Sequence, residues 1–279
     1  AKSKTSKLKS FKNYKKLYFI NPVNLTREQF FKRYKFYQSF YFNKLIHKHN
    51  SASKIPIDIF IPTIRKDLDV LPYVVKYARL NIKHPIYKIF IVAPEDDEIK
   101  ELATTLNCVF VDERTVMGYG KEKITYKFNG IDASGWLYQQ LLKLNCNKVC
   151  EKEHILVLDS DLLIINPKKF EHKGKFILEF SDELHLPYFE TYFNLMHLKH
   201  QLPVSFISHH MLFEKSILIS LQQYIEKEHQ KKWDEKIMEL IPAEIRHFFS
   251  EYETYANFVL HNSQNSYIFE YWFNTVLNR

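Results

Sequence analysis

Ile155-Leu156-Val157-Leu158-Asp159-Ser160-Asp161-Leu162-Leu163-Ile164-Ile165 is the stretch on which the reading of the whole chain turns. Its first four residues form a short, wholly apolar run of the kind that fills a strand buried on both faces. The run ends in two carboxylates one residue apart. In a parallel sheet both acids then stand near the carboxyl edge, where open α/β folds bind their ligands. Leu162 to Ile165 is a second apolar run, read as a further strand before Asn166-Pro167. A bare Asp-Ser-Asp is otherwise an ordinary turn sequence; its place between two apolar runs makes it more than that.

Upstream, apolar runs and helical spacings alternate. Ile57 to Thr63 reads as a strand closed by Pro62, Leu68 to Leu80 as a helix, and Tyr87 to Ala93 as a strand closed by Pro94. Asp97 to Leu106 reads as a helix and Cys108 to Val111 as a third strand. This βαβαβ order predicts a parallel sheet with crossover helices. After a polar, glycine-containing segment, Ser134 to Leu144 has Trp136, Leu137, Gln140, Leu141 and Leu144 on one helical face.

Downstream, Phe176 to Phe180 and Val204 to Ser208 read as strands, with His210 to Phe213 continuing the second. Ser216 to Glu228, Trp233 to Leu240 and Glu251 to His261 read as helices. The expected class is α/β, a mostly parallel central sheet flanked by helices with a Rossmann-like first half, preceded by a basic helical extension. No proline- or serine-rich linker divides residues 51–279, which are read as one domain.

Composition narrows the chemistry. The chain has 279 residues, 46% of them hydrophobic, enough to bury a sizeable core. Five glycines stand against 23 phenylalanines and 18 tyrosines, and neither Gly-x-Gly-x-x-Gly nor a P-loop is present, which excludes the glycine-built dinucleotide and P-loop folds. The net charge of +8 is unevenly spread: residues 1–50 hold 13 Lys and Arg against Glu28 alone, leaving the remainder at −4.

Within that segment Phe30, Phe31, Tyr34, Tyr37, Phe40 and Tyr41 recur at helical spacing from Thr26 to Asn50, and Thr26 with Gln29 forms a capping-box pattern. Such a segment suits an anionic membrane surface. No nucleic-acid recognition signature is present, so no nucleic-acid partner is expected. Three cysteines, without a signal-peptide pattern or a long apolar run, point to free thiols in a cytoplasmic protein working at the inner face of the plasma membrane.

Carboxylate oxygens are hard ligands suited to Mg2+ or Mn2+, and such an ion can bridge to a diphosphate. Asp161 is the expected ligand, with Asp159 sharing the ion or bonding a nucleotide ribose. Around these residues the chain resembles the nucleotide-sugar transferases of the A-type glycosyltransferase fold. The phrase Leu158-Asp-Ser-Asp-Leu-Leu-Ile is similar to the Asp-x-Asp strand of the glycogenin-like and lipopolysaccharide hexosyltransferases. Gly135-Trp-Leu-Tyr-Gln-Gln-Leu-Leu-Lys143 stands where that group has its preceding helix. The nearest likeness is to a bacterial glycosyltransferase-like family with this helix, the Asp-Ser-Asp strand and a late Ser-Glu-Tyr-Glu-x-Tyr segment, spanning residues 55–262.

The resemblance implies a metal-dependent transfer of sugar from a nucleoside diphosphate donor, UDP-linked, to a glycan or lipid-linked acceptor in bacterial surface polysaccharide synthesis. It divides the domain into a nucleotide-sugar half, residues 51–167, and an acceptor half, residues 168–279. It places Pro62 and Thr63 against the nucleotide, and Glu95 or Asp96 at the base. Arg65, Lys121, Lys123 and Lys127 become candidates for the diphosphate, beside Gln140, Lys143, Asp159 and Ser160. His209 and Trp136 are candidate sugar or acceptor contacts, and His210 joins Asp159 and Asp161 as a candidate metal ligand. Glu251 and Glu253 are the candidate catalytic acids, either contacting the sugar or deprotonating an acceptor hydroxyl.

Several of these residues have plainer readings. Ser250 with Glu253 makes a capping box, Trp136 suits a core face, and the acids after the second strand suit a helix start. The His209-His210 pair also departs from the glycogenin-like group, which has a small, glycine-containing turn there. Adjacent residues of an extended segment point to opposite faces, so one His at most faces the site. Two other functions compete: a haloacid-dehalogenase-like phosphatase, whose nucleophile sits on an earlier strand before small residues, and a non-catalytic module that binds polyanions or membrane through its basic N-terminus.

Overall fold

The computed structural model describes residues 51–181, 183–202, 204–242, 244–263 and 266–272. The basic extension and the helix expected from Thr26 to Asn50 lie outside them. The three short runs read as strands form β1 (Ile57–Pro62), β2 (Ile86–Ala93) and β3 (Val109–Asp112). Between them run the helices α1 (Leu71–Asn81) and α2 (Asp97–Thr105), and α3 (Glu113–Met117) follows β3 directly. Pro72 in the first turn of α1 costs no intrahelical bond. Asp96 caps α2, accepting from the amides of Glu98 and Ile99.

The polar segment folds as a hairpin, β4 (Lys127–Phe128) and β5 (Ile131–Asp132), whose Asn129-Gly130 corner has positive φ at both residues. The helix α4 (Ser134–Leu144) starts and stops where its spacing predicts. It packs between β1 and a late helix, which explains why it is buried on more than one face. Then come β6 (His154–Leu158), β7 (Glu171–His172), β8 (Lys175–Phe180) and α5 (Leu186–Met196). The chain continues through β9 (His210–Glu214), α6 (Lys215–His229), α7 (Trp233–Glu239), α8 (Glu251–Ser263) and β10 (Tyr267–Tyr271). No helix among the described residues is long and apolar enough to cross a membrane.

The central sheet has the order β3-β2-β1-β6-β9, parallel except for β9, which runs antiparallel to β6. Helices flank this sheet, as the α/β pattern predicts. A smaller sheet, β10-β8-β7, stands beside it. Because β9 comes from the C-terminal half and completes the first sheet, the two halves of the domain share one core.

Two apolar runs do not become strands. Leu162 to Ile165 has no ladder partner; Ile164 is buried against the β1–α1 core, and its carbonyl accepts from the Asn81 amide at 2.7 Å. Val204 to Ser208 makes one bridge, Ser205 with Ser181, and otherwise bonds to side chains. The short helix α3, the longer helix α5 and the strands β4, β5, β7 and β10 are additions that the sequence reading does not contain.

The amino end of the sheet is held by Asp58, a fully buried acid on β1. Its Oδ2 accepts from the amides of Glu151 and Lys152, at 2.6 and 2.8 Å, fixing the turn that leads into β6. Asp58→Ala leaves two amides without this acceptor and is expected to cost about 2–4 kcal/mol in urea unfolding. Glu113 is buried at the start of α3, and burial pushes its carboxyl from 4.5 up to about 7. The unfolded chain therefore releases this proton first, and stability falls as pH rises from about 4.5 to about 7. Glu113→Gln should flatten that part of a stability-versus-pH curve.

Candidate active site

From β1 the chain moves outward to β2 and β3, then returns to place β6 on the other side of β1. The crevice beyond the carboxyl ends of β1 and β6 is thus the topological switch point, where open α/β sheets bind ligands. A cavity of about 270 Å³ lies there. Lys66 and Asp67 enter it from the turn after β1, and Asp159, Ser160 and Asp161 from the end of β6. Trp136, Gln140 and Lys143 come from α4, Tyr188 from α5, and Glu251 with Tyr252 from the start of α8. Ser160 fastens the two strand ends together, its Oγ donating to Asp67 Oδ2 at 2.9 Å.

The centre of the cavity wall is the Lys143 ammonium, 2% exposed. Its Nζ lies 2.5 Å from Asp159 Oδ1 and 2.8 Å from Glu251 Oε1. Burial alone would discharge this lysine, but the two carboxylates outweigh it and raise the pKa above its ordinary value. Asp159 shows the converse: burial opposes its ionisation, yet Lys143 and His209 hold it well below the usual carboxylate range. For Glu251, 1% exposed, burial wins, and its pKa lies above 4.5 despite Lys143. Gln140 donates to the Trp136 carbonyl at 3.3 Å, and its amide group lies against the Glu251 carboxylate. Tyr252 donates to Asp159 Oδ1 at 3.2 Å, and its ring lies under Lys143.

The two histidines separate, one at the cavity and one in the core, through a turn rather than through strand alternation. His209 has φ of +61°, a left-handed turn before β9. Its carbonyl accepts from the Asp159 amide, and its Nδ1 lies 3.0 Å from Asp159 Oδ2. Asp159 and Glu183 raise the imidazole pKa to about 10, so it is a cation at neutral pH. His210 corrects the expected metal set: it is fully buried and faces away from the cavity. It sits in an ion cluster where Glu179 pairs with both His210 Nε2 and Lys168, and Lys168 lies 3.3 Å from Glu270.

The two acids of α8 also part. Glu251 faces the cavity. Glu253 does not: its amide bonds to Ser250 Oγ as a capping residue would, while its carboxylate accepts from the Phe206 amide at 2.8 Å. Glu253 thereby holds the extended 204–208 segment and is removed from the candidate catalytic acids.

Other expected contacts are engaged elsewhere. Pro62 ends β1 and Thr63 is buried, its hydroxyl donating to the Ile61 carbonyl. Arg65 pairs with Asp96 and Glu98, at 2.8 and 3.1 Å, and Glu95 pairs with Lys100. None of these residues lines the cavity, nor do Lys121, Lys123 and Lys127. Lys66, Asp67, Tyr188, Ile207 and Tyr252 line it without having been singled out from the sequence. The signal for Lys66 and Asp67 was their position just after the first strand; Tyr188 and Ile207 lie in segments with no such marker.

Among the described residues no three His, Cys, Asp or Glu side chains gather into a metal cage. A diphosphate-bound ion needs none, since Mg2+ keeps waters and is held by one or two carboxylates plus the phosphates of its substrate. The Asp159 oxygens already accept from Lys143, Tyr252 and His209. Asp161, at the cavity wall beside Asp159, is a carboxylate whose chemistry fits such an ion.

Solved structures with a similar course of chain include glucosyl-3-phosphoglycerate synthase from Mycobacterium tuberculosis in complex with uridine diphosphate. It is 9% identical, with a TM-score of 0.46 over 81% of this chain and 73% of that one. The galactosyltransferase LgtC, in complex with donor and acceptor sugar analogues, is 12% identical with a TM-score of 0.38 over 66% and 70%. Mannosyl-3-phosphoglycerate synthase from Rubrobacter xylanophilus is 13% identical with a TM-score of 0.38, over 58% of this chain and 55% of that one. No curated protein matches the sequence. Residues 75–276, well over half of the chain, match the family described as a family of unknown function, DUF6492, and the chain belongs to that family.

Proposed function

We propose that the chain is an A-type glycosyltransferase that moves a sugar from a nucleoside diphosphate, UDP-linked, to a hydroxyl of a glycan or lipid-linked acceptor. The observation that carries this reading is the Asp159-Ser160-Asp161 edge at the switch point, tied through Lys143 to Glu251 beside a cavity. Asp161 would hold Mg2+ or Mn2+, and the bound ion supplies Lewis-acid neutralisation of the leaving diphosphate.

In this reading the protein's own cations complete the task. Lys66 lines the cavity and the protonated His209 edges it, both suited to phosphate oxygens. Lys143 keeps Asp159 ionised and fixed, which leaves Asp159 able to accept from a ribose hydroxyl. Glu251, with a raised pKa and one oxygen on Lys143, is assigned to the transferred sugar or the incoming hydroxyl. Bacterial surface polysaccharide synthesis at the inner face of the plasma membrane is the setting that the basic residues 1–50 fit best.

With Mn2+ present, UDP or a UDP-sugar at a hundredfold excess over its Kd should raise Tm by roughly 5 °C. Asp161→Ala should remove the Mn2+-dependent part of that shift. The proposal fails if no nucleotide sugar shifts Tm with any divalent ion while simple phosphomonoesters are hydrolysed. Glu251→Gln should lower kcat about a hundredfold or more in a UDP-release assay, with Kd for UDP within about threefold of the parent.

A further inference from the structure

The helix α1 turns Leu71, Val74, Val75 and Ala78 inward, where they are buried. On the opposite side Tyr73, Lys76, Tyr77 and Leu80 follow at the i, i+3, i+4 and i+7 spacing that sets residues in one line. Tyr73 and Leu80 are each 56% exposed. The outer face of a surface helix is ordinarily polar; in this line the one charge is Lys76. The neighbouring segment extends it. Asn81, at the end of α1, donates from its side chain to the Ile164 carbonyl at 2.7 Å, and its own carbonyl accepts from the Lys168 amide at 2.8 Å. Residues 164–168 therefore run beside the end of α1, and while Ile164 is buried there, Ile165 is 65% exposed.

Cations rim this apolar line. Residues 69–83 hold Lys76, Arg79 and Lys83 against the single acid Asp69, and residues 162–169 hold Lys168 and Lys169 and no acid. Arg79 is engaged by the carbonyls of Leu106 and Asn107, Lys168 is buried with Glu179, and Lys169 pairs with Glu171. Lys54, Lys76 and Lys83 have no acid partner among the described residues; Lys83 Nζ donates to the Leu80 carbonyl at 3.0 Å. Lys54 joins them because the Ser53 amide donates to the Lys83 carbonyl at 2.7 Å, and the Ser51 hydroxyl lies 3.1 Å from Lys169 Nζ. The strongly basic residues 1–50 are thus joined to the rest of the chain at the Lys83 end of the line. At its other end α1 starts just after Lys66 and Asp67, which line the cavity.

We propose that the outer face of α1, with Ile165 beside it, docks on an anionic lipid bilayer. Tyrosine rings and aliphatic groups suit the boundary between headgroups and acyl chains, while lysine stems lie along it and carry their ammonium groups to lipid phosphates. The lysines without acid partners supply the complementary charge, and residues 1–50, tethered at one end of the line, are drawn to the same surface. A second copy of the chain is the poorer occupant, because Lys76 stands in the middle of the line and a two-fold antiparallel pairing would set it against its own copy. The proposal gives the membrane setting of the transferase reading a definite face: the helix leads from the junction with residues 1–50 to the cavity edge, so docking holds the cavity beside the surface where a lipid-linked acceptor lies.

The test uses the full chain carrying Cys108→Ser, in which Leu80→Cys supplies an accessible thiol for an environment-sensitive dye; Cys146 and Cys150 are buried. The labelled chain is mixed with vesicles of phosphatidylcholine containing about 30% phosphatidylserine, and with phosphatidylcholine alone. On the anionic vesicles the dye emission should shift to the blue and be quenched by nitroxide-bearing lipid, and the neutral vesicles should require about tenfold more lipid for the same shift. In the unlabelled chain, Leu80→Gln with Ile165→Gln should lower partition onto anionic vesicles about tenfold, and Lys76→Gln several-fold. These side chains are exposed, so Tm should stay within about 2 °C of the parent. A chain that binds vesicles while the dye at position 80 stays in water overturns the inference, as does the absence of binding to either vesicle or an unchanged partition in the double variant. A blue shift that grows with protein concentration in the absence of lipid assigns the face to a second copy and overturns it as well. No arm contains UDP, so the docking face and the transferase reading stand or fall separately.

Discussion

A single buried ammonium organises the ligand edge of this protein. Lys143 could not stay charged in so dry a position alone, because the desolvation of an ion costs several kcal/mol even after relaxation. It is tolerated only because Asp159 and Glu251 meet it, and they in turn are tolerated only because of Lys143. Each of the three comes from a different element: α4, the end of β6 and the start of α8. Their mutual need therefore fixes where two helices and a strand end stand relative to one another. It also leaves the carboxylates unequal, Asp159 a firm anion and Glu251 a reluctant one.

A second ion cluster lies behind the first. Lys168, Glu179, His210 and Glu270 join the smaller sheet to the start of β9. His210 Nδ1 also donates to the Ser208 carbonyl, 2.8 Å away, and Ser208 Oγ donates to the His210 carbonyl. The turn containing His209 is consequently braced from the core while its ring meets Asp159 at the cavity. Adjacent histidines thus divide the labour: one anchors the loop, and the other presents charge to the ligand edge.

Much of this was legible because burial and periodicity leave plain marks. The β6 run, the Asp-Ser-Asp edge and the limits of α4 all follow from local patterns. The misread segments show where local pattern ends. Leu162 to Ile165 is apolar because it covers the core, and nothing in its composition separates cover from strand. Val204 to Ser208 is extended, but its partner is the Glu253 carboxylate, a side chain 47 residues away from Phe206. In β10, Glu270 interrupts an aromatic run, and it lies 3.3 Å from Lys168 of another element, a partner that no local pattern announces. Arg65 and Asp96 were sensible phosphate and base candidates by position, yet they are nearer to each other than to the cavity.

The parallel pairing of β1 with β6 has a consequence for how the chain acquires its site. These strands are distant in sequence, and closing so long a loop is slow compared with forming a helix or hairpin. Lys66 and Asp67 depend on one strand, Asp159 to Asp161 on the other, and Glu251 comes later still. During synthesis, no shorter nascent segment can assemble the cavity, and the chain gains its ligand edge only after α8 has emerged. Ligand binding is in this sense a report on complete folding, withheld from any form that lacks β1, β6 or the start of α8.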